Sequence, residues 1–145
     1  MKRAGRSRGF TLIEVLTVTV IIGVLAAIAI PQYYRVKAKA YVASMQSDLR
    51  NLVTAQEMYF AEHGRYTAQV GDLQNFRPTS GVTIDVTSAS LQGWYAVASH
   101  SASTASCAIY VGGGSRPDAA DSGGEGVPSC ELDGTRVASP GERQP

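Results

Sequence analysis

The chain has 145 residues, with 13 Lys and Arg against 12 Asp and Glu, a formal net charge of +1 and two cysteines. That length suits one domain plus a hydrophobic stalk. The near-balance of charge argues against non-specific nucleic-acid binding by net charge alone.

Met1 to Gly9 carries four cations, Lys2, Arg3, Arg6 and Arg8, and no acid. Phe10 to Ile30 follows, 21 residues whose one charge is Glu14. As a helix this stretch is roughly 31 Å long at about 1.5 Å per residue, the thickness of a bilayer's hydrocarbon core. A secretory signal has a shorter apolar region and ends in small residues. Here the small-residue junction, Gly9-Phe10, precedes the apolar run. A cut at that point removes the basic leader and keeps the membrane helix.

Arg8-Gly9-Phe10-Thr11-Leu12-Ile13-Glu14 resembles the class III signal of type IV prepilins and the related pseudopilins. The resemblance implies cleavage between Gly9 and Phe10 by an inner-membrane prepilin peptidase, then N-methylation of Phe10. It also implies other pilin subunits and inner-membrane assembly machinery as partners. The likeness is specific in the N-terminal part; the remainder is similar to the family only in layout. Without the four leader cations the chain keeps nine cations against 12 acids, a balance of −3.

The basic leader places the N-terminus in the cytoplasm and exports the rest. Arg35, Lys37 and Lys39 flank the far end and weaken that contrast. A plain signal anchor accounts for the leader and the helix but supplies no reason for Glu14. An intramembrane carboxylate costs several kcal/mol and marks function by default. Cleavage after Gly9 creates an α-amine on Phe10, in the same subunit or a neighbour, able to neutralise it. The resemblance implies the neighbour's amine. Such pairing favours a staggered subunit, because an unpaired buried charge is costly.

Pro31 ends the apolar run and predicts a kink. From Gln32 the pattern becomes amphipathic: Tyr41, Met45, Leu49, Leu52, Gln56 and Tyr59 fall within about 80° on a helical wheel. Val53 and Phe60 widen the stripe, while Arg35, Lys37, Arg50 and Glu57 lie off it. Gly64 is the expected left-handed cap, with His63 in the last turn. The spacing therefore predicts one helix from Phe10 to His63.

Arg65 to Ser80 reads as a loop pinned by Tyr66, Leu73 and Phe76. Three strands are expected over 82–87, 93–99 and 106–111, joined as an antiparallel meander. Val82, Ile84 and Val86 point inward on the first, and Cys107, Ile109 and Val111 share a face on the third. Gly112 to Gly126 is a loop rich in Gly, Asp and Ser. A Cys107–Cys130 bond would close it onto the third strand and contribute roughly 3 kcal/mol; the alternative is two unpaired thiols. Thr135-Arg136-Val137 is a candidate edge strand, and residues 138–145 read as a polar tail.

No catalytic constellation, cofactor motif or zinc spacing assembles. Gly112-Gly113-Gly114 lacks the downstream residues of a phosphate loop. His63 and His100 stand alone and read as surface residues. Asp118, Asp121, Glu125, Glu131 and Asp133 crowd the C-terminal region, and the resemblance to pseudopilins implies calcium there. Their spacing matches no fixed loop, which leaves Asp118, Asp121 and Glu125 as weak candidates beside the favoured reading of a solvated acidic loop. Tyr33, Tyr34, Tyr41, Tyr59 and Phe60 invite an electron-conduction reading, but the last three already have a packing role.

The expected fold is α+β: one long N-terminal helix packed by its C-terminal half on a small antiparallel sheet, with a disulfide-closed C-terminal loop. The expected organisation is a leader over 1–9, a membrane and filament-core helix over 10–31, its amphipathic half over 32–63, a β domain over 64–137 and a tail. The function implied is a type IV pilus subunit, held in the inner membrane before assembly and in an extracellular filament afterwards. A secretion pseudopilin, or a minor tip subunit for adhesion or DNA uptake, is the alternative. Residues 68–144 hold only Arg77, Arg116, Arg136 and Arg143 as cations, which disfavours DNA.

Overall fold

The computed structural model describes residues 9–113 and 124–132, and the backbone of 135–137. The leader residues 1–8, the carboxylates Asp118, Asp121 and Asp133, and the tail 138–145 lie outside the described residues. The chain forms two compact units, Met1–Lys37 and Ala38–Pro145.

A single helix, α1, spans Leu12–His63 and includes Pro31. It begins two residues later than expected, because Thr11 stands before it as the capping residue. It stops at Gly64, whose φ of +67° and N–H bond to the Phe60 carbonyl at 2.7 Å form the left-handed cap.

In the second unit, α1 buries Val42, Met45, Leu49 and Leu52 against Ile84, Trp94, Ala96, Ala98 and Ile109. Each fully buried side chain of that size contributes about 1.5–3 kcal/mol relative to exposure. The apolar stripe was legible; its polar members act differently. Gln56 is fully buried and grips the loop after the helix, its Nε2 donating to the Thr67 carbonyl at 2.7 Å and its Oε1 accepting from the Thr67 N–H at 3.1 Å. Asp48, also buried, accepts from the Thr79 N–H at 2.7 Å and the Thr79 hydroxyl at 2.9 Å. These two side chains satisfy backbone groups of a segment that has no sheet partner of its own. Within it, Val70–Asp72 forms one turn of 3₁₀ helix that drops Leu73 into the core.

The sheet has five antiparallel strands in the order β1-β2-β3-β4-β5. They are β1 (Val82–Ala89), β2 (Gly93–His100), β3 (Ser106–Gly112), β4 (Ser129–Leu132) and β5 (Thr135–Val137). The meander is as expected, with Val82, Ile84 and Val86 buried on β1. A register shift between Val86 and Ser88 leaves Thr87 unpaired and sets Ala89 opposite Trp94. On β2, Trp94 and Tyr95 are both buried, so the sheet is covered on both faces there; Tyr95 packs with Ala108 and the partly buried Val97 and Tyr110. The fourth strand was not expected. Cys107 and Cys130 stand opposite each other in the β3–β4 register and form a disulfide.

Candidate functional site

Two regions held the sequence-derived candidates. The first is the start of α1. Thr11 and Glu14 have the spacing of a capping box, in which a Ser or Thr before the helix and an acid three residues on satisfy each other's backbone donors. The geometry matches. The Thr11 N–H and hydroxyl donate to Glu14 Oε2 at 2.8 and 2.9 Å, and the Glu14 N–H donates to the Thr11 hydroxyl oxygen at 3.3 Å. The signal was present as Thr-x-x-Glu, but the sequence reading treated Glu14 only as a charge in an apolar run. Among the described residues, nothing reaches Glu14 Oε1. Phe10, Glu14, Val15, Thr17, Val18 and Thr19 line one shallow recess on the helix surface.

Between Phe10 and Ile30 every large apolar side chain is exposed in this subunit, Phe10 at 87% and Ile30 at 56%. Thr17 and Thr19 turn their hydroxyls onto the carbonyls of Glu14 and Leu16 at 3.0 and 2.9 Å, so they add no unmet polar group to that surface. By length and composition α1 is able to cross a membrane.

The second region is the C-terminal loop. Gly112 has φ of +73°, and a Cβ there would meet the Gln92 carbonyl and Gly93. This glycine lets the chain leave β3 sharply. Its N–H donates to Glu125 Oε1 at 2.7 Å, and the Gly126 N–H donates to the Tyr110 carbonyl at 2.9 Å. Glu125, a weak calcium candidate, thus closes the loop through one oxygen. Among the described residues no three His, Cys, Asp or Glu side chains converge as a metal site.

Of the two histidines expected at the surface, His63 is exposed and His100 is not fully so. His100 is half-buried and stacked on Tyr41 with centroids 4.0 Å apart, while its Nδ1 accepts from the Ala102 N–H at 3.0 Å. His63 is exposed but stacks on Tyr59 at 4.1 Å, with Nδ1 3.1 Å from the Tyr59 carbonyl. Tyr66 donates to Glu57 Oε1 at 3.0 Å and packs against Phe60 at 4.7 Å. Burial is the main cause that lifts the Tyr66 phenol above its ordinary range; the bond to Glu57 and the charges of Glu57 and Glu125 add to it.

Residues 5–30 match the family described as the prokaryotic N-terminal methylation motif. The chain is similar to the type IV major pilin protein PilA of Myxococcus xanthus, 42% identical over 76 residues, which are 52% of this chain and 34% of that protein. It is similar to the type IV wide pilus major component PilA4 of Thermus thermophilus, 35% identical over 101 residues, 68% of this chain and 77% of that protein. It is also similar to the type II secretion system core protein G of Klebsiella pneumoniae, 42% identical over 69 residues, 48% of this chain and 49% of that protein. The match thus spans a third of the Myxococcus protein, half of the Klebsiella protein and most of the Thermus one.

Proposed function

This chain belongs to the type IV pilin family, and from that premise we propose that it is a structural subunit of a type IV pilus. It is stored in the inner membrane with its N-terminus in the cytoplasm, cleaved by a prepilin peptidase between Gly9 and Phe10, and N-methylated on Phe10. Inner-membrane assembly machinery then adds it to a filament through residues 10–31. Residues 1–9 act as the leader, 32–63 as the amphipathic half of the helix, 64–137 as the β domain and 138–145 as a tail.

The observation that carries this reading is the apolar surface from Phe10 to Ile30, which its own chain leaves exposed. A surface of that length needs another solvent. Lipid serves before assembly, and the same segments of other subunits serve in a filament. Glu14 supplies the register. Its Oε2 is committed to Thr11. We assign Oε1 to the α-amine of a neighbouring subunit's Phe10. Only a staggered neighbour brings that amine to the carboxylate, and a misplaced one leaves a charge buried without a partner. The relatives named above are pilus and secretion-system components, and the reading gives this chain no catalytic role.

The similarity to core protein G supports a second reading, a pseudopilin of a type II secretion system. Both readings are tested by shearing cells and analysing the released fraction. A pilus subunit is released in long filaments, with an intact mass that begins at Phe10 and is one methyl group heavier. Its absence from that fraction, with loss of protein export on deletion, would select the pseudopilin.

A further inference from the structure

We propose that a groove between the end of α1 and the 3₁₀ turn at Val70–Asp72 receives the Lys39 side chain of a second copy of this chain. The proposal rests on the filament reading above and names a contact within it.

The groove comes first. Ala55, Met58, Tyr59 and Glu62 recur at helical spacing on one face of α1, and Asp72 to Asn75 supply the other wall. Ala55, Tyr59 and Leu73 make it apolar, and Met58 is 50% exposed. Glu62 and Asp72 bring two carboxylates. Asp72 is held in place, because its Oδ2 accepts from the Thr67 hydroxyl at 3.0 Å and Gln56 grips the Thr67 backbone. The groove has a volume of about 40 Å³. Small-molecule pockets run to about 300–1,000 Å³, so this one suits the end of a side chain. A lysine matches its chemistry, with an aliphatic stem for the apolar walls and donors for the carboxylates.

The source of the lysine comes second. Lys39 is exposed, at the start of the unit Ala38–Pro145. Among the described residues, none of Lys39, Glu62 and Asp72 is in an ion pair. Lys39 and Glu62 lie roughly 35 Å apart along α1 and about 140° apart around it. They cannot meet within one copy. A cation near one end of the unit that fills a groove near the other makes a head-to-tail contact, the kind that extends into an open helical filament. Arg65 and Arg77 stand beside the groove's own segments and Arg50 lies midway along the helix, so Lys39 has the offset that such a contact needs. A helical filament gives each copy neighbours at several offsets, and this contact and the one at Glu14 use different neighbours.

Filaments are sheared from cells making the full chain and treated with a water-soluble carbodiimide, which joins an amine to a carboxylate without a spacer. Lysine occurs at Lys2, Lys37 and Lys39, so the products are few and peptide mass mapping places each. The expected result is a ladder of linked subunits whose junctions join Lys39 to Glu62 or Asp72. Lys39→Glu sets like charges against each other and should cut filament yield about tenfold or more, with unchanged subunit in the membrane fraction. A parent chain absent from the sheared fraction refutes the filament reading and the contact with it. Parent filaments whose junctions lie elsewhere on the chain, or on a different protein, overturn the contact alone. So does a Lys39→Glu chain that reaches the membrane normally and makes filaments at the parent level. Where Lys39→Glu fails to accumulate, the junction in the parent decides.

Discussion

Thr11 and Glu14 hold each other across the first turn of α1, with the Thr11 N–H and hydroxyl on Glu14 Oε2 at 2.8 and 2.9 Å. The carboxylate therefore has a local duty as well as the intersubunit one proposed for it. The two are separable by substitution. Thr11→Ala removes the hydroxyl from the cap and keeps the charge. It should destabilise the first turn by about 1 kcal/mol. Amide exchange over residues 12–15 should speed up by roughly fivefold, while processing and some assembly persist. Unchanged exchange would mean that the capping box contributes nothing.

Gln56 grips both backbone groups of Thr67 inside the core. Gln56→Leu keeps the volume and strands a buried N–H and C=O. The cost should be about 2–6 kcal/mol, from 1–3 for each unmet group. The buried Trp94 reports unfolding in urea without an added label. A midpoint equal to the parent's would show that the loop finds other partners.

The Cys107–Cys130 disulfide joins residues 23 apart in sequence. Its loss should cost about 3 kcal/mol through the unfolded state. Both cysteines are buried, so reductant should act slowly on the folded protein and quickly in urea. Intact mass after alkylation, with and without reduction, follows this directly. Rapid reduction at full native stability would contradict it.

Burial chiefly raises the Tyr66 phenol, with help from Glu57 and Glu125, and burial alone raises Tyr95. A raised folded-state pKa contributes stability that is complete below the unfolded value of about 10 and is lost as pH climbs through the folded value. Unfolding free energy should be insensitive to both phenols at neutral pH and should fall above about pH 10. Tyr66→Phe with Tyr95→Phe should flatten that fall. An identical alkaline slope in parent and double variant would refute the assignment.

Much of the fold was legible because it rests on periodicity. The apolar run and the stripe through Met45, Leu49 and Leu52 announce α1, and the alternation of Val82, Ile84 and Val86 announces β1. Gly64 announces the helix stop, because its conformation suits glycine alone. What stayed hidden depends on tertiary partners. Asp48 and Gln46 are polar residues on a helix, and only the loop and sheet laid over them make them buried. Four-residue β4 has little alternation of its own and exists because Cys130 pairs with Cys107 across from β3. At the site, Glu14 was conspicuous as a charge, yet its bond to Thr11 went unread although the spacing carried it.

In the function proposed here, the charge of Glu14, beyond its cap, sets subunit register. Glu14→Gln tests it most directly, because glutamine also completes a capping box but carries no charge. Filament yield in the sheared fraction is measured against subunit in the membrane fraction, with cleavage at Gly9 checked in both. The account predicts normal membrane level, normal cleavage and few or no filaments. Filaments at the parent level would contradict it and leave apolar packing along Leu12 to Ile30 sufficient for assembly.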